Sequence, residues 1–399
     1  MPKQPKTDRT VPNYRNSAIE TKVVHAGVPR PRIAGSAAIP IFQSTVFEYK
    51  PLGSYHDIEY PRFNSLPNQL ALGEKIASIE EAEDAIPTAS GMAAITTALL
   101  TVLGKGSHLL IQECVYGGTH NFLTDDIGDF GIAFDFIDAN RPDTWEERLL
   151  PNTQAIYVEA ITNPLVQVAD HEAVVKFARE HQLISLIDNT FATPVNFRPI
   201  SIGYDVALHS ATKYLNGHSD LVAGAIVGPT DLITKIRHRL NHLGGCLDPH
   251  ACFLLDRGLK TLVLRVRQQN ANAQALAKFL ETHPKIEKVN YPGLKSHPQH
   301  DHARRLFEGF GGMLSFELSG GAPAAEYFVN SVTLPIHAAS LGGVETLVTR
   351  PAMTSHSGIS AEERENLGIG DGLIRCSVGI EAVDELIDDF SRTLKALPQ

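Results

Sequence analysis

Three short stretches of this chain carry residues able to build one amine-bearing, anion-binding pocket. The apolar run Val206-Ala207-Leu208 leads into His209-Ser210-Ala211-Thr212-Lys213, and a second run, Leu183 to Ile187, ends in Asp188-Asn189-Thr190. Ser90-Gly91-Met92 comes well before both. The Ser210 and Thr212 hydroxyls flank Ala211, so both can face one phosphate while the Lys213 amine enters the pocket. Asp188 ends a strand apolar enough to be covered on both faces, the address at which open parallel sheets hold ligands. Ser90-Gly91-Met92 follows an apparent turn at Pro87-Thr88-Ala89 and opens the helical run Ala93 to Leu103. Free amides at such a helix start favour an anion, and Gly91 permits close approach. The G-x-x-x-x-G-K-[ST] pattern of a nucleotide P-loop is absent.

A Schiff-base amine, a carboxylate for a ring nitrogen and a phosphate cradle are what pyridoxal phosphate requires. Taken singly, each residue has an ordinary reading: Lys213 as a solvated surface lysine, Asp188 as a loop cap, Ser90 as a plain helix entry. Their combination points to the cofactor. Arg375, in the otherwise apolar run Gly372 to Val378, is costly to bury unless it meets an anion. That makes it the candidate for a substrate carboxylate, with an internal ion pair as the competing reading. Lys213 would hold the cofactor and, once displaced by a substrate amine, move protons at the alpha carbon.

The elements positioning these residues alternate helical patterns with short apolar runs at Leu109-Leu110-Ile111, Ile156-Tyr157-Val158, Leu183 to Ile187, Val206 to Leu208 and Ala223 to Val227. That alternation predicts a mostly parallel sheet in an α/β domain. Expected boundaries are an N-terminal arm over 1–63, a large domain over 64–256 and a smaller α+β domain over 257–399. Arg257 to Phe279 has helical spacing and is expected to form one long helix joining the two domains. The first 18 residues lack apolar periodicity and are expected to be mobile unless a neighbouring subunit holds them.

With 399 residues there is ample room for a core, and a net charge of -10 without a basic run excludes a nucleic-acid footprint. Residues 1–18 have no apolar segment of signal-peptide length and no later stretch reaches the length of a membrane span, so the cytoplasm is expected. Cys114, Cys246, Cys252 and Cys376 show neither metal-ligand spacing nor a disulfide framework. Cys376, next to Arg375, is a candidate for alkylation. His297, His300 and His302 with Asp301 follow a Pro-Gly turn and are read as structural; no metal is expected.

From about Ile19 to Asp389 the chain resembles the pyridoxal phosphate enzymes of cysteine and methionine metabolism. The resemblance is carried by Tyr60-Pro61-Arg62, Ser90 to Ala94, Tyr116-Gly117-Gly118-Thr119, Glu159 with Asn163-Pro164, Asp188 to Phe191, His209 to Tyr214, Ser340 to Gly343 and Arg375 to Glu381. It implies a fold-type I transferase architecture, with a seven-stranded sheet in the large domain. It also implies that Tyr116 stacks on the pyridine and assists proton transfer, and that Asn163 reaches the cofactor phenolic oxygen. Asn163 and Ser340 would assist Arg375 with substrate. Tyr60 and Arg62 would cross a subunit interface to the neighbour's cofactor phosphate, so each site needs a dimer, within a tetramer built as a dimer of dimers.

Among relatives, many gamma-synthases and gamma-lyases carry glutamate just before the serine matched by Ser340, and some beta-lyases carry tyrosine; this chain has Ala339. Methionine gamma-lyases typically carry cysteine where Gly118 stands. The arm sequence Tyr60 to Asn68 also departs from the family's usual run. The expected activity is a carbon-sulfur lyase that eliminates at the gamma or beta carbon of cystathionine or a related amino acid, releasing a 2-oxo acid, ammonia and a thiol. The rivals are a gamma-replacement synthase and a non-catalytic binding or regulatory protein on the same fold.

Overall fold

The computed structural model describes residues 14–48, 58–354, 360, 362, 364 and 367–397. Seven strands form the larger sheet: β1 (Asp84–Thr88), β2 (His108–Gln112), β3 (Ala133–Ile137), β4 (Thr153–Glu159), β5 (Ile184–Asp188), β6 (Val206–His209) and β7 (Gly224–Gly228). Their order is β1-β7-β6-β5-β4-β2-β3. β7 runs antiparallel to both its neighbours, and every other pairing is parallel. Parallel strands need helical crossovers that cover both faces, so their sequences are apolar throughout. Accordingly β2, β6 and β7 are buried along their whole length. The helices Gly91–Val102 and Thr230–Leu243 cover one face through Ile95, Leu99, Ile233 and Leu240. Pro67–Glu80 and His171–Glu180 cover the other through Leu72, Ile76, Val174 and Val175.

The five apolar runs read from the sequence lie in β2, β4, β5, β6 and β7. Two further strands differ from that reading. Pro87 and Thr88, read as a turn, belong to β1, which pairs only with β7 and is therefore an edge strand. A proline, lacking an N–H, is tolerated there. β3, with its exposed and half-exposed residues, occupies the opposite edge and shows no continuous apolar run.

A second sheet comprises β8 (Ile286–Asn290), β9 (Met313–Leu318), β10 (Ile336–His337), β11 (Leu347–Thr349) and β12 (Leu373–Ser377), in the order β10-β11-β12-β9-β8. It is antiparallel except for the β10–β11 pair. Its helical cover centres on Phe328 and Phe390; the Phe328 ring meets those of Phe390 and of Phe316, on β9, edge to face. The long helix expected over 257–279 is two helices, Pro249–Leu259 and Leu262–Glu281. They part where the Thr261 hydroxyl bonds back to the Gly258 carbonyl, a local bond that competes with helical continuation. The N-terminal expectation also changes. Residues 1–13 lie outside the described set, but Arg15 is tied to its own chain through Glu74 and the Ala82 and Glu83 carbonyls.

Arg265, on the second of these helices, is buried and has no carboxylate partner among the described residues. It donates instead to the carbonyls of Tyr214, Leu215 and Gly258 and to the Thr261 hydroxyl, gripping the loop that follows Lys213. Desolvation lowers its pKa to about 10, so it remains a cation at neutral pH. Gly217, at φ +72°, leaves the room: a Cβ there would lie 1.8 Å from the Arg265 guanidinium. Gly217→Ala is expected to cost about 2–4 kcal/mol, combining left-handed strain with overpacking. A fall in the urea midpoint without a change in m-value would show it.

Candidate active site

β4, β5 and β6 end together, and their carboxyl ends open on a cavity of about 650 Å³. Its wall includes Ser90, Gly91, Met92, Tyr116, Asn163, Asp188, Ser210, Thr212, Lys213, Ser340 and Arg375. Every site residue expected from the sequence is therefore brought to one place, apart from Tyr60 and Arg62. Those two do not line the cavity of their own chain. Arg62 donates to the Asn241 carbonyl at 2.8 Å and lies over the Tyr60 and Phe63 rings, with Tyr60 37 % exposed.

One wall of the cavity is built by the start of the helix Gly91–Val102. Ser90 caps it by accepting from the Ala93 N–H at 3.0 Å, while the first amides have no intrahelical acceptor. Gly91 is needed because a Cβ would lie 2.8 Å from the Ser210 Cβ. The Ser210 N–H donates to the Thr190 hydroxyl oxygen at 2.8 Å, which joins the ends of β5 and β6. Thr212 departs from the expected pattern. Its hydroxyl donates to the Ala223 carbonyl at 3.1 Å and accepts from the Ala223 N–H at 3.0 Å, so its one donor is committed to the backbone. It reaches a phosphate only after turning away from Ala223.

Asp188 opens half-buried into the cavity and accepts from the Thr190 N–H at 2.9 Å. Glu159 stands beside it in register on β4. Sequence reasoning placed Glu159 in a motif but not in the site, although the rule that selected Asp188, a carboxylate ending a buried parallel strand, selects it equally. Glu159 accepts from the Tyr116 N–H at 2.5 Å and so fixes the backbone that carries that ring. Burial and the adjacent Asp188 carboxylate hold the Glu159 carboxyl well above its ordinary range. Burial likewise pushes Asp188 up, against the pull of the Thr190 hydrogen bonds. A cationic N–H group placed beside them would lower both pKa values and hold the carboxyls ionised. Tyr116 is 45 % exposed, so its ring is not part of the core.

Lys213 and Arg375 face the cavity as two cations. The Lys213 Nζ donates to the Ser340 hydroxyl at 2.6 Å. Burial, reinforced by the Arg375 charge, lowers the lysine pKa to about 8, within reach of the neutral amine that nucleophilic chemistry needs. Arg375 is 5 % exposed and donates to Asn163 Oδ1 at 3.1 Å and to the Ser340 carbonyl at 2.9 Å. No carboxylate pairs with it among the described residues, so the internal ion pair is not its role. Desolvation lowers its pKa to about 10, leaving it charged at neutral pH. Ser340 serves both cations from a left-handed backbone, φ 81°, a conformation costly for a residue with a Cβ and concentrated at functional sites.

Other candidates have different fates. Cys376 is fully buried and its thiol is pushed up by that burial, which removes the thiolate that alkylation needs. His297 and His300 bond to backbone groups through Nδ1. His302 lies with Asp170 and Glu172, where Arg305 already supplies the positive charge to Glu172 and bonds the imidazole.

Helix-start amides, a glycine-lined approach, paired carboxyls that call for a cationic ring nitrogen and a lysine with a depressed pKa all fit pyridoxal phosphate. The fold and cavity define an α/β enzyme of the pyridoxal-phosphate-dependent class. Comparison with known proteins makes this specific: residues 20–395 match the family of Cys/Met metabolism PLP-dependent enzymes, and the chain belongs to it. It is 40 % identical over 380 residues to a cystathionine beta-lyase of Lactococcus lactis subsp. cremoris, covering 95 % of this chain and 99 % of that one. It is also 40 % identical over 387 residues to a cystathionine gamma-lyase of Dictyostelium discoideum, covering 96 % and 99 % respectively. A solved cystathionine gamma-lyase from Lactobacillus plantarum, complexed with L-serine, superposes with a TM-score of 0.90 at 37 % identity, over 95 % of this chain and 99 % of that one.

In cofactor-free protein, modification of Lys213 by an amine reagent is expected to rise with pH through a midpoint near 8. Arg375→Ala removes a neighbouring cation, favours the protonated amine and should move that midpoint upward. An unmoved midpoint would show that the two charges do not interact.

Proposed function

We propose that this chain is a pyridoxal-phosphate-dependent carbon-sulfur lyase acting on cystathionine or a closely related amino acid. The observation that carries the reading is the buried Arg375 guanidinium, without a carboxylate partner among the described residues, joined through Ser340 to the amine of Lys213. An α-amino acid supplies what this pair lacks. Its carboxylate would take the free donors of Arg375, beside Asn163 and Ser340, and its alpha carbon would then lie within reach of Lys213. Lys213 would take a proton from the alpha carbon, after which beta elimination expels the thiolate directly; gamma elimination needs a further proton taken from the beta carbon before the thiolate leaves, and the same amine can serve both. When bound, pyridoxal phosphate supplies the sink for the electrons released.

The cofactor would be held at its phosphate by Ser90, Gly91, Met92, Ser210 and Thr212, at its ring by Asp188 and Tyr116, and near its phenolic oxygen by Asn163. Tyr60 and Arg62, displaced from their own chain's cavity, suit a role in a neighbouring subunit. A dimer that completes each site in trans, within a cytoplasmic tetramer, accommodates them. Expected domain limits of 1–63, 64–256 and 257–399 assign the carboxylate grip to the last unit and the lysine to the middle one. Ala339 in the cavity wall offers no charge to a distal amino group, which favours discrimination by size.

The test is an absorption spectrum of the purified protein before and after L-cystathionine, with identification of the 2-oxo acid. A band near roughly 420 nm, given by a lysine-bound cofactor, together with 2-oxobutyrate supports gamma elimination, and pyruvate supports beta elimination. A band without an oxo acid but with thioether formation from an activated homoserine identifies a replacement synthase. Absence of the band overturns the proposal. Lys213→Ala should lose the band and turnover while keeping the fold. Arg375→Ala should raise KM about 30-fold or more, the effect of truncating a buried charge-assisted contact, while cofactor affinity changes little.

A further inference from the structure

Behind the strand ends lies a buried polar cluster that no step of the proposed reaction uses. Glu80, the last residue of the helix Pro67–Glu80, is wholly buried, as is Asn189, and His209 is 1 % exposed. A single carboxylate oxygen, Glu80 Oε1, accepts from His209 Nε2 at 2.5 Å and from Asn189 Nδ2 at 3.0 Å. The same Asn189 amide also donates to the Phe197 carbonyl at 2.9 Å. A carboxylate at a helix carboxyl end stands against the helix dipole, and one without water is costlier still. Its retention there calls for a compensating task.

The neighbours along the chain indicate that task. Asn189 directly follows Asp188, and His209 directly precedes Ser210 on the way to Lys213. The Asn189 N–H donates to the Leu208 carbonyl at 2.8 Å, and the Ser210 N–H to Thr190, so the two strand ends are laced together at backbone level. Alternation along β6 places His209 on the side of Ala207, toward the helix Pro67–Glu80, whereas Asp188 shares the side of Leu186. Glu80 and its partners therefore lie across the sheet from the side that Asp188 shares with Leu186.

We infer that Glu80 is a positioning residue: through Oε1 it clamps the ends of β5 and β6 from behind, setting Asp188 and Lys213 at their relative stations. The inference rests on the pyridoxal phosphate reading of the cavity. Glu80→Ala leaves both donors without their acceptor, whereas Glu80→Gln retains an oxygen in the same place. Holoenzymes of wild type and both variants are compared by visible circular dichroism of the roughly 420 nm band, expressed per bound cofactor, alongside kcat and KM.

In Glu80→Ala the ellipticity is expected to change and kcat to fall about 10- to 100-fold, with KM within about twofold, as for a small misplacement of reacting groups. Glu80→Gln is expected to restore both. If Glu80→Ala does not fold, Asn189→Ser, which removes one arm of the clamp, is expected to change the ellipticity in the same sense. A variant that melts at lower temperature yet keeps wild-type ellipticity and kcat per bound cofactor overturns the inference, because the cluster is then only structural. Equal loss in Glu80→Gln and Glu80→Ala also overturns it. Wild-type protein without the band would instead remove the cofactor reading itself.

Discussion

A buried guanidinium without an anion is the constraint around which the cavity is organised. Arg375 sits in the middle of a buried strand, where its charge is stable only because Asn163 and the Ser340 carbonyl accept from it. Those two acceptors come from opposite halves of the molecule: Asn163 from the loop after β4, Ser340 from the segment after β10. Satisfying the arginine therefore pulls the two sheets into one site. Ser340, held in a left-handed backbone, also meets Lys213 through its hydroxyl, so one residue joins the guanidinium to the amine.

Charge lines the cavity in like-signed pairs. Two carboxyls, Glu159 and Asp188, face it from adjacent strands, and two cations, Lys213 and Arg375, share Ser340. Each pair is unfavourable in isolation, and burial raises the acids and lowers the bases. A zwitterionic amino acid and a phosphorylated heteroaromatic ring offer the complementary charges. This is preorganisation: the folded chain bears the repulsion before ligands arrive, so the groups need not be rearranged during reaction.

Much of this was legible in the sequence because parallel strands are apolar throughout and end at ligands. That rule alone located Asp188 and the lysine loop. It failed where the edges of the sheet relax it, at proline-containing β1 and at the half-exposed β3. It was applied too narrowly at Glu159. The division between Leu259 and Leu262 was hidden because a threonine hydroxyl bonding back one turn leaves no mark on apolar periodicity. Thr212 shows another limit: residue type named a donor, but only the fold shows that Ala223 already receives it. Arg15 was equally opaque, since its acceptors lie about sixty residues away in the chain.

The lysine loop and the two carboxyls come from the seven-stranded sheet and its connections, whereas Arg375 lies on β12 of the five-stranded one and Ala339 and Ser340 in its β10–β11 connection. The chamber is thus walled by two stretches of gene. A change confined to Ala339 reshapes one wall and leaves the lysine loop and the two carboxyls as they are, so the space offered to a ligand can be altered without rebuilding the groups opposite.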